Sequence, residues 1–408
     1  MVRQVTCTAP VNIAVIKYWG KRDTSLILPT NSSLSVTLSQ DDLHSRTTVG
    51  IAPEWSNESD RMWLNGTESA IATNARLVNC LKMSRAQRKA LEDADSGLPR
   101  WSQWGIRIVS ENNFPTAAGL ASSASGYACL VYTLAQVFEL PLTGADLSRN
   151  ARLGSGSACR SIFGGFVGWD MGQSPTGDDS QAYQVAPETH WPDLEALILV
   201  VSDLKKGVSS TAGMQTTVET SSLAQHRFQA IVPKRMRQME QAILAKDFDT
   251  FAEITMRDSN QFHATCLDTF PPIFYLNDTS RLIIQVVTAI NCLSGRTQAA
   301  YTFDAGPNAV IYAPKAHMPY LIQLFAYFFP GSAGSGYFSD SYQCLPEGTV
   351  LGKSFPEPFQ VIQQTFPVLP VDSVRRIIHT RVGPGPMMRL EPEASLLNAD
   401  GLPKTKSA

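Results

Sequence analysis

The sequence is poor in cysteine and histidine, and none of these residues falls in a recognised metal or disulfide pattern. Its 408 residues include seven cysteines, widely spaced and without a Cys-x-x-Cys pair, and six histidines without a His-Glu-x-x-His motif. An odd, scattered set of cysteines argues against a disulfide framework, and the missing motifs argue against a zinc site. We therefore expect a reducing compartment, and a cytoplasmic location, for this protein.

An excess of one charge and long apolar runs are also missing. The 34 lysines and arginines nearly balance the 36 acidic residues, which leaves a net charge of −2. This excludes a globally basic nucleic-acid binder and an acidic solvating tail. The best apolar runs, Leu194–Val201 and Leu321–Pro330, are much shorter than the ~18 residues of a membrane span, and the N-terminal segment lacks a secretory pattern. We expect neither nucleic acid nor a membrane span among its interactions.

What the chain does contain is the composition of a large globular protein. Hydrophobic residues make up 43% of it and charged residues 17%, enough to bury a sizeable core. The length predicts two domains, at roughly 150 residues each. Strand patterns dominate before about residue 190 and helical patterns after it, which favours an α+β fold. We assign residues 1–190 and 191–390 to two domains, the second with its own sheet, and 391–408 to a tail.

Hydrophobic periodicity locates the main elements. The predicted strands are Val5–Ile16, Leu34–Leu38, Thr47–Ile51, Met62–Gly66, Gly105–Ser110, Phe163–Trp169, Leu194–Val201, Ala300–Phe303 and Ala309–Tyr312. The predicted helices are Thr73–Ser84, Ser122–Leu140, Ser222–Ala245, Asp247–Arg257, Ile273–Cys292 and Met318–Phe328. We expect a flexible loop at Gly331–Ser341 and a loosely attached segment at Arg389–Ala408.

A segment of small residues, Pro115–Gly126, lies between a predicted strand and a predicted helix. Small side chains let a ligand approach the backbone, and the free N–H groups of a helix N-terminus attract an anion. Ser122 and Ser123 add hydroxyls that can reach a phosphate or its metal ion. The segment matches neither the P-loop nor the Rossmann pattern. From composition alone, a packing face of small residues is an equal alternative.

Two further segments carry charged side chains at turns. Gly154–Ser161 exposes backbone N–H groups next to Arg160, whose rigid fork suits a carboxylate or a phosphate; the alternative is a surface arginine. Asp304 follows a predicted strand and precedes a Gly-Pro turn in an uncharged stretch. It is either a turn residue or a catalytic group with a tuned pKa.

The fourth segment, Pro10–Lys21, combines an apolar strand with polar residues. Asn12 interrupts the strand and needs partners if it is buried, and Lys17 and Lys21 cluster with aromatic residues. The alternative is a strand that runs into a solvated loop. Lesser candidates are Arg76, Lys205, Lys206, Ser209–Thr211 and Asp258–Cys266. Together the segments indicate a site that handles phosphate and carboxylate on a small molecule.

Five segments resemble the mevalonate diphosphate decarboxylase family of the GHMP kinase superfamily. They are Val11–Asp23, Asn112–Leu130, Gly154–Ser161, Asp258–Pro272 and Tyr301–Val310. Within them, Pro115–Ala124 matches the superfamily phosphate loop P-x-x-x-G-L-x-S-S-A. The resemblance implies a two-domain GHMP-kinase-like fold. Its N-terminal domain would be ribosomal protein S5 domain 2-like, its C-terminal domain a ferredoxin-like α/β sandwich, with the active site in the interdomain cleft.

The resemblance also implies a reaction. ATP phosphorylates the 3-hydroxyl of (R)-5-diphosphomevalonate, and loss of phosphate and CO₂ then yields isopentenyl diphosphate for isoprenoid and sterol biosynthesis. Asp304 would accept or orient the hydroxyl proton, and Arg160 would hold the substrate carboxylate. Lys17 would lie near the reacting centre, and Asn12 would position these groups. The resemblance further implies a homodimer.

Binding residues are implied in the same way. The implied substrate contacts are Tyr18, Trp19, Gly20, Lys21, Arg76, Ser155, Gly156, Ser157, Ala158, Cys159 and Thr211. The implied ATP contacts are Pro115, Ala118, Gly119, Leu120, Ala121, Ser122 and Ser123. Mg²⁺ would bridge nucleotide phosphates near Ser122, without a dedicated protein site.

Two alternatives to this reaction remain. A superfamily kinase would phosphorylate its substrate and stop, but such kinases often carry an acid just after the second small-residue loop. This chain has Cys159 and Arg160 there, and its acid is Asp304, which favours the decarboxylase. An inactive relative acting as a sensor or scaffold would have an eroded site, whereas Lys17 and Ser122 are both present.

Overall fold

The computed structural model of the chain describes residues 2–114, 122–202, 207–332, 336–353 and 359–404. Its strands are β1 (Arg3–Pro10), β2 (Asn12–Ile16), β3 (Lys21–Asp23), β4 (Leu28–Pro29), β5 (Ser33–Thr37), β6 (His44–Ala52), β7 (Arg61–Leu64), β8 (Thr67–Ser69), β9 (Gly105–Asn112), β10 (Phe166–Trp169), β11 (Ala182–Ala186), β12 (Leu194–Val200), β13 (Ala300–Phe303), β14 (Ala309–Pro314), β15 (Phe338–Asp340), β16 (Arg376–Arg381) and β17 (Met387–Arg389).

The α-helices are α1 (Ala75–Ala94), α2 (Ser122–Val137), α3 (Gly144–Gly154), α4 (Ser210–Thr220), α5 (Ser222–His226), α6 (Val232–Ala245), α7 (Phe248–Asp268), α8 (Asp278–Ser294), α9 (Met318–Phe328) and α10 (Ile362–Thr365). Two further turns matter for the site: a 3₁₀ segment at Gly156–Ile162 and a π-helical turn at Arg227–Ile231. None of the described helices combines the length and the hydropathy needed to cross a bilayer.

Three larger sheets organise the described residues. Strands from the first half of the chain, joined by β17, form a six-stranded sheet in the order β17-β1-β6-β9-β7-β8 and a four-stranded sheet in the order β11-β10-β5-β2. The second half forms a five-stranded sheet in the order β13-β14-β12-β16-β15. The expectation that the second half carries its own sheet is therefore confirmed.

The predicted strand Val5–Ile16 is wrong at Val11, because the chain changes sheets there. β1 ends at Pro10 and pairs with β6, whereas β2 begins at Asn12 and pairs with β5. At the crossing, the Val11 carbonyl accepts a hydrogen bond of 2.9 Å from the Leu38 N–H. Residues on both sides of the break are buried, so the hydrophobic pattern contains no sign of it.

One apolar cluster joins the two halves of the molecule. It includes Val15 of β2 and Ile198 of β12, both almost fully buried. Within it the ring of Trp191 stacks on Phe166, with centroids 6.1 Å apart, and meets Phe251 edge-on at 5.6 Å. Because burial of apolar surface stabilises this contact, it holds the two halves in a defined arrangement. This packing therefore positions the walls of a cleft between the two halves.

The helix prediction is confirmed for α9; α2 begins at Ser122 as predicted but ends at Val137 and not at Leu140, and other helices are corrected further. α1 continues through the polar segment to Ala94, and α4 was not predicted. α8 begins at Asp278 and not at Ile273, because the Asn277 side chain caps it by accepting the Ser280 N–H.

The predicted helix Ser222–Ala245 contains a π-helical turn between α5 and α6. Pro233 lies in the first turn of α6, and an ordinary α-helical path would press its ring against the carbonyl of Gln229. A wider turn relieves that clash, and such turns are frequent at functional sites. This one carries Arg227.

Two segments predicted to be loose are held by the fold. β17 pairs with β1, and Leu396 and Leu397 are buried against Trp63 and Val109. The prediction of a loosely attached segment is therefore wrong for residues 389–404; residues 405–408 lie outside the described part. The predicted loop at 331–341 contains β15, which pairs with β16. Both strands are short and lack a long periodic pattern, so sequence reasoning missed them.

Candidate active site

A cleft of about 300 Å³ lies where the two halves of the molecule meet. It is lined by β2, the starts of α2 and α4, the 3₁₀ segment and the turn after β13. The predicted site residues that line it are Asn12, Lys17, Tyr18, Trp19, Lys21, Arg76, Ser122, Ser123, Ser155, Gly156, Ser157, Arg160, Thr211 and Asp304. Lys17 and Asp304, 287 positions apart in sequence, are thereby brought into contact.

The other predicted site residues have different places. Gly20 adopts φ +106°, and a Cβ there would lie 2.5 Å from Thr30 Oγ1, so this position requires glycine for its turn. Ala158 and Cys159 pack into apolar clusters, and burial raises the pKa of the Cys159 thiol to about 12. Pro115, Ala118, Gly119, Leu120 and Ala121 lie outside the described residues, as do Lys205 and Lys206.

The cleft contains a short ion pair. Lys17 Nζ lies 2.6 Å from Asp304 Oδ1; the lysine side chain is 3% exposed and the aspartate side chain 27% exposed. Burial lowers the pKa of Lys17, and the charge of Asp304 partly offsets that effect. Asp304 also ends a strand and closes a turn, since its carbonyl accepts the Gly306 N–H. Its carboxylate nevertheless faces the cleft, so it is more than a turn residue.

Arg160 carries a buried positive charge without an ion-pair partner in the described part of the chain. It is 2% exposed and donates to Ser33 Oγ at 2.6 Å and to Ser35 Oγ at 3.0 Å, both neutral acceptors. Burial lowers the pKa of Arg160, yet a guanidinium stays protonated at neutral pH. An uncompensated buried cation favours an incoming anion. The alternative of a surface arginine is wrong.

Asn12 connects β2 to the 3₁₀ segment. Its amide donates to the Ser157 carbonyl at 3.1 Å and to Ser161 Oγ at 2.7 Å, and its oxygen accepts a longer bond of 3.3 Å from Arg160 Nε. The buried asparagine therefore has the partners that sequence reasoning required of it. Its geometry fixes the orientation of Arg160.

Cations and hydroxyls gather at the outer end of the cleft. Arg76 Nη2 donates to Thr211 Oγ1 at 2.8 Å, and burial, helped by the nearby Arg76 charge, lowers the pKa of Lys21 to about 8. The hydroxyl of Tyr18 is buried and finds no hydrogen-bond partner among the described residues. Trp19 has a supporting role, since its indole N–H donates to Thr217 of α4 at 2.9 Å.

The start of α2 forms another wall of the cleft. It shows features of both sequence alternatives, a phosphate-binding segment and a packing face of small residues. Ser122 and Ser123 line the cleft, and Ser123 Oγ lies 3.3 Å from Ser155 Oγ. Two residues later Ser125 is fully buried and bonds to the Ala9 carbonyl, as a packing face would. Among the described lining residues Asp304 alone offers a carboxylate. A lining with so few carboxylate ligands suits a Mg²⁺ ion that is held mainly by phosphate oxygens.

Several residues of the site carried no usable sequence signal. Ser33 and Ser35 of β5 hold Arg160, and Asn31 donates to the Lys17 carbonyl at 3.0 Å. Arg227 reaches the same carbonyl, at 3.1 Å, from the π-helical turn. Asp258 accepts the Lys17 N–H at 2.7 Å; sequence reasoning placed it in a lesser candidate segment and in a family-like segment, but gave it no role. Asn31 lies in the bend between β4 and β5, and the other four belong to elements with ordinary strand or helix patterns.

Comparison with known proteins gives matches over nearly the whole chain. Residues 9–182 match the diphosphomevalonate decarboxylase-like N-terminal domain, and residues 196–389 match the mevalonate 5-diphosphate decarboxylase C-terminal domain. The diphosphomevalonate decarboxylase of Ganoderma lucidum is 55% identical over 99% of this chain and 100% of its own length.

Solved structures are also similar. Mevalonate diphosphate decarboxylase from Trypanosoma brucei superposes with a TM-score of 0.86 at 40% identity, covering 97% of this chain and 100% of its own. A structure described as MDDEF in complex with MVAPP, AMPPCP and magnesium has a TM-score of 0.72 at 31% identity, covering 95% and 99%. These neighbours confirm the expected two-domain GHMP-kinase-like fold. Sequence, fold and cleft agree, and the chain belongs to the mevalonate diphosphate decarboxylase family.

Proposed function

We propose that the cleft converts ATP and (R)-5-diphosphomevalonate into ADP, phosphate, CO₂ and isopentenyl diphosphate. Membership of the family supports the reaction, which belongs to the mevalonate pathway of isoprenoid and sterol biosynthesis. One observation supports the site: the Lys17–Asp304 ion pair, at 2.6 Å, shares a cleft with the buried Arg160, which has no ion-pair partner among the described residues. A substrate that bears both a hydroxyl and a carboxylate would use these groups together.

Substrate binding follows from where the cations lie. The substrate carboxylate pairs with the guanidinium of Arg160, whose fork fixes its orientation. The diphosphate lies toward Lys21 and Arg76, where Tyr18 and Thr211 supply hydroxyls. The substrate is thus held at both ends, with its tertiary hydroxyl between them and close to Asp304.

Phosphoryl transfer begins at Asp304. Its carboxylate takes the proton of the 3-hydroxyl while the hydroxyl oxygen attacks the γ-phosphorus of ATP and ADP leaves. Lys17 keeps the carboxylate oriented and offers positive charge to the developing phosphate. Ser122 and Ser123 face the nucleotide phosphates. The MVAPP–AMPPCP–magnesium complex supports ATP and Mg²⁺ here, and Mg²⁺ would neutralise phosphate charge when bound.

Decarboxylation then needs no further protein nucleophile. The bond between C3 and the new phosphate breaks, the bond between C2 and the carboxylate breaks, and the released electron pair forms the double bond. Positive charge that develops at C3 is stabilised by neighbouring phosphate and carboxylate oxygens. Arg160 holds the carboxylate so that its carbon–carbon bond aligns with the departing phosphate.

A product assay tests this function. The enzyme is supplied with ATP and (R)-5-diphosphomevalonate, and released CO₂ and ADP are measured in the same sample. We expect equal amounts of both. Release of ADP without CO₂ would support the rival reading of a kinase that stops after phosphorylation.

Three structural expectations stay proposals. The domain limits 1–190 and 191–390 are supported by the two family matches, which end at residue 182 and begin at residue 196. The homodimer and the cytoplasmic location are supported by the family resemblance. Light scattering of the purified protein and fractionation of cells from its source would test them.

A further inference from the structure

The backbone of Lys17 is held from both sides by groups that do not line the cleft. Asp258 Oδ2 accepts the Lys17 N–H at 2.7 Å, and Arg227 Nη2 donates to the Lys17 carbonyl at 3.1 Å. Asn31 supplies a second donor to that carbonyl at 3.0 Å. A lysine whose peptide groups are fixed in this way has only its side-chain torsions left to adjust.

Asp258 and Arg227 also form an ion pair with each other. The guanidinium contacts both carboxylate oxygens, at 2.8 and 2.7 Å, and both side chains are fully buried. Arg235 adds a contact to Oδ1 at 2.9 Å. Burial opposes the ionisation of Asp258, but Arg227, the Lys17 N–H and Arg235 together hold the pKa of that carboxyl below its usual value.

Stability alone does not explain this arrangement. Buried ion pairs contribute little net stability, since desolvation of the charges offsets their attraction. This pair, however, satisfies two peptide groups of Lys17 and places a negative charge near its ammonium. Arg227 reaches that position from the π-helical turn, a feature that often marks functional sites.

We propose that Asp258 and Arg227 are positioning residues for the reaction: by fixing the Lys17 backbone they place its ammonium on Asp304. The proposal rests on the roles given above to Lys17 and Asp304. It adds a specific division of labour. Arg227 sets geometry, whereas Asp258 sets both geometry and the charge state of Lys17.

The charges around Lys17 determine its pKa. Burial lowers the pKa of Lys17; Asp304 and Asp258 oppose that effect, and Arg160 adds to it. Burial and then the Lys17 charge lower the pKa of His263 to about 3, so this neighbour stays neutral. Removing the charge of Asp258 therefore lowers the pKa of Lys17 further. The alkaline limb of kcat should then move to lower pH.

The test is a pH profile of kcat at saturating substrate, for Asp258→Asn and Arg227→Lys. For Asp258→Asn we expect kcat to fall about 10- to 100-fold, because small misplacement of a reacting group costs that much, and the alkaline limb to shift to lower pH. For Arg227→Lys, which keeps the charge and loses the fork, we expect lower kcat with an unshifted limb. Lys17→Arg identifies the limb, which should then disappear from the measured range.

The chain offers a matched control in Arg88 and Glu92, a second buried pair with side chains 2% and 1% exposed, which does not line the cleft. Arg88→Lys should lower the melting temperature and leave kcat and its pH profile unchanged. If Asp258→Asn behaves like this control, the proposal is overturned. If instead Asp304→Asn retains turnover, the proposed function fails, independently of Asp258.

If Asp258→Asn fails to fold, Arg235→Gln provides the test of the proposal. The Arg235 side chain is 17% exposed. Its positive charge offsets part of the negative charge that Asp258 exerts on Lys17. Its loss should shift the alkaline limb to higher pH, opposite to general damage. An unshifted limb in this variant would overturn the proposal.

Discussion

Lys17 and Lys21 are four positions apart in the sequence, yet they occupy opposite environments in one cleft. Lys17 is 2% exposed, and its ammonium is paired with Asp304 at 2.6 Å. Lys21 is half-buried and neighbours Arg76, and burial and then the Arg76 charge lower its pKa. The inner lysine therefore has a fixed geometry suited to chemistry, whereas the outer lysine, which has no ion-pair partner in the described part of the chain, is suited to binding. Four predictions test this contrast.

The largest effect is expected at the inner end, for Asp304→Asn. An amide cannot take the hydroxyl proton, so kcat should fall about 10²- to 10⁴-fold, the usual contribution of a general base. Single-turnover release of ADP and CO₂ measures it, with a melting curve as the folding control. Unchanged turnover would show that another group is the base.

Arg160→Gln comes next. A charge-assisted hydrogen bond contributes about 1.5–3 kcal/mol, so kcat/KM for diphosphomevalonate should fall roughly 10- to 100-fold. The affinity for a non-hydrolysable ATP analogue, measured by calorimetry, should change much less. Equal weakening of both ligands would contradict the assignment of Arg160 to the carboxylate.

The outer lysine predicts a pH dependence of binding. The pKa of Lys21, about 8, is below the ordinary lysine value, so its charge is present below pH 8 and is lost as the pH rises through it. KM for diphosphomevalonate should therefore rise above that pH, by about 10-fold, with little change in kcat. Lys21→Arg, which stays charged, should flatten the rise. The same rise in the arginine variant would assign it to another group.

The smallest effect is expected for Thr211→Val. It keeps the shape of the side chain and removes the oxygen that accepts from Arg76 at 2.8 Å. The loss of one partly exposed hydrogen bond should raise KM about 2- to 5-fold without lowering kcat. Thr211→Ser keeps a hydroxyl and serves as the control. A fall in kcat alone would place Thr211 at the inner end, against the contrast drawn above.

Residues with a local sequence signal were found where the segments predicted them. Asp304 stands beside a Gly-Pro turn, and Arg160 follows a run of small residues; both features depend on backbone conformations that a few neighbouring residues determine. The structure brings both residues into one cleft. The two-domain α+β fold was likewise predictable, since long periodic segments and the family motifs extend over most of the chain.

Residues without such a signal could not be predicted. Arg227 lies within an ordinary helical pattern, and its partner Asp258 follows 31 positions later on another helix. Leu396 and Leu397 form too short an apolar pair to predict a buried segment, yet they pack against Trp63. In each case the decisive contact joins residues distant in sequence, and no local pattern encodes it.

The sequence by itself determined the family, the fold class and the inventory of charged groups for a phosphate-bearing carboxylate. Only the tertiary structure decided which of these charges are buried and which are paired. Packing removes Lys17 and Arg160 from water, and in the protein interior a charge interacts strongly with the few partners left to it. The net charge of −2 says nothing about this, because burial and pairing, unlike composition, are set by contacts between distant segments.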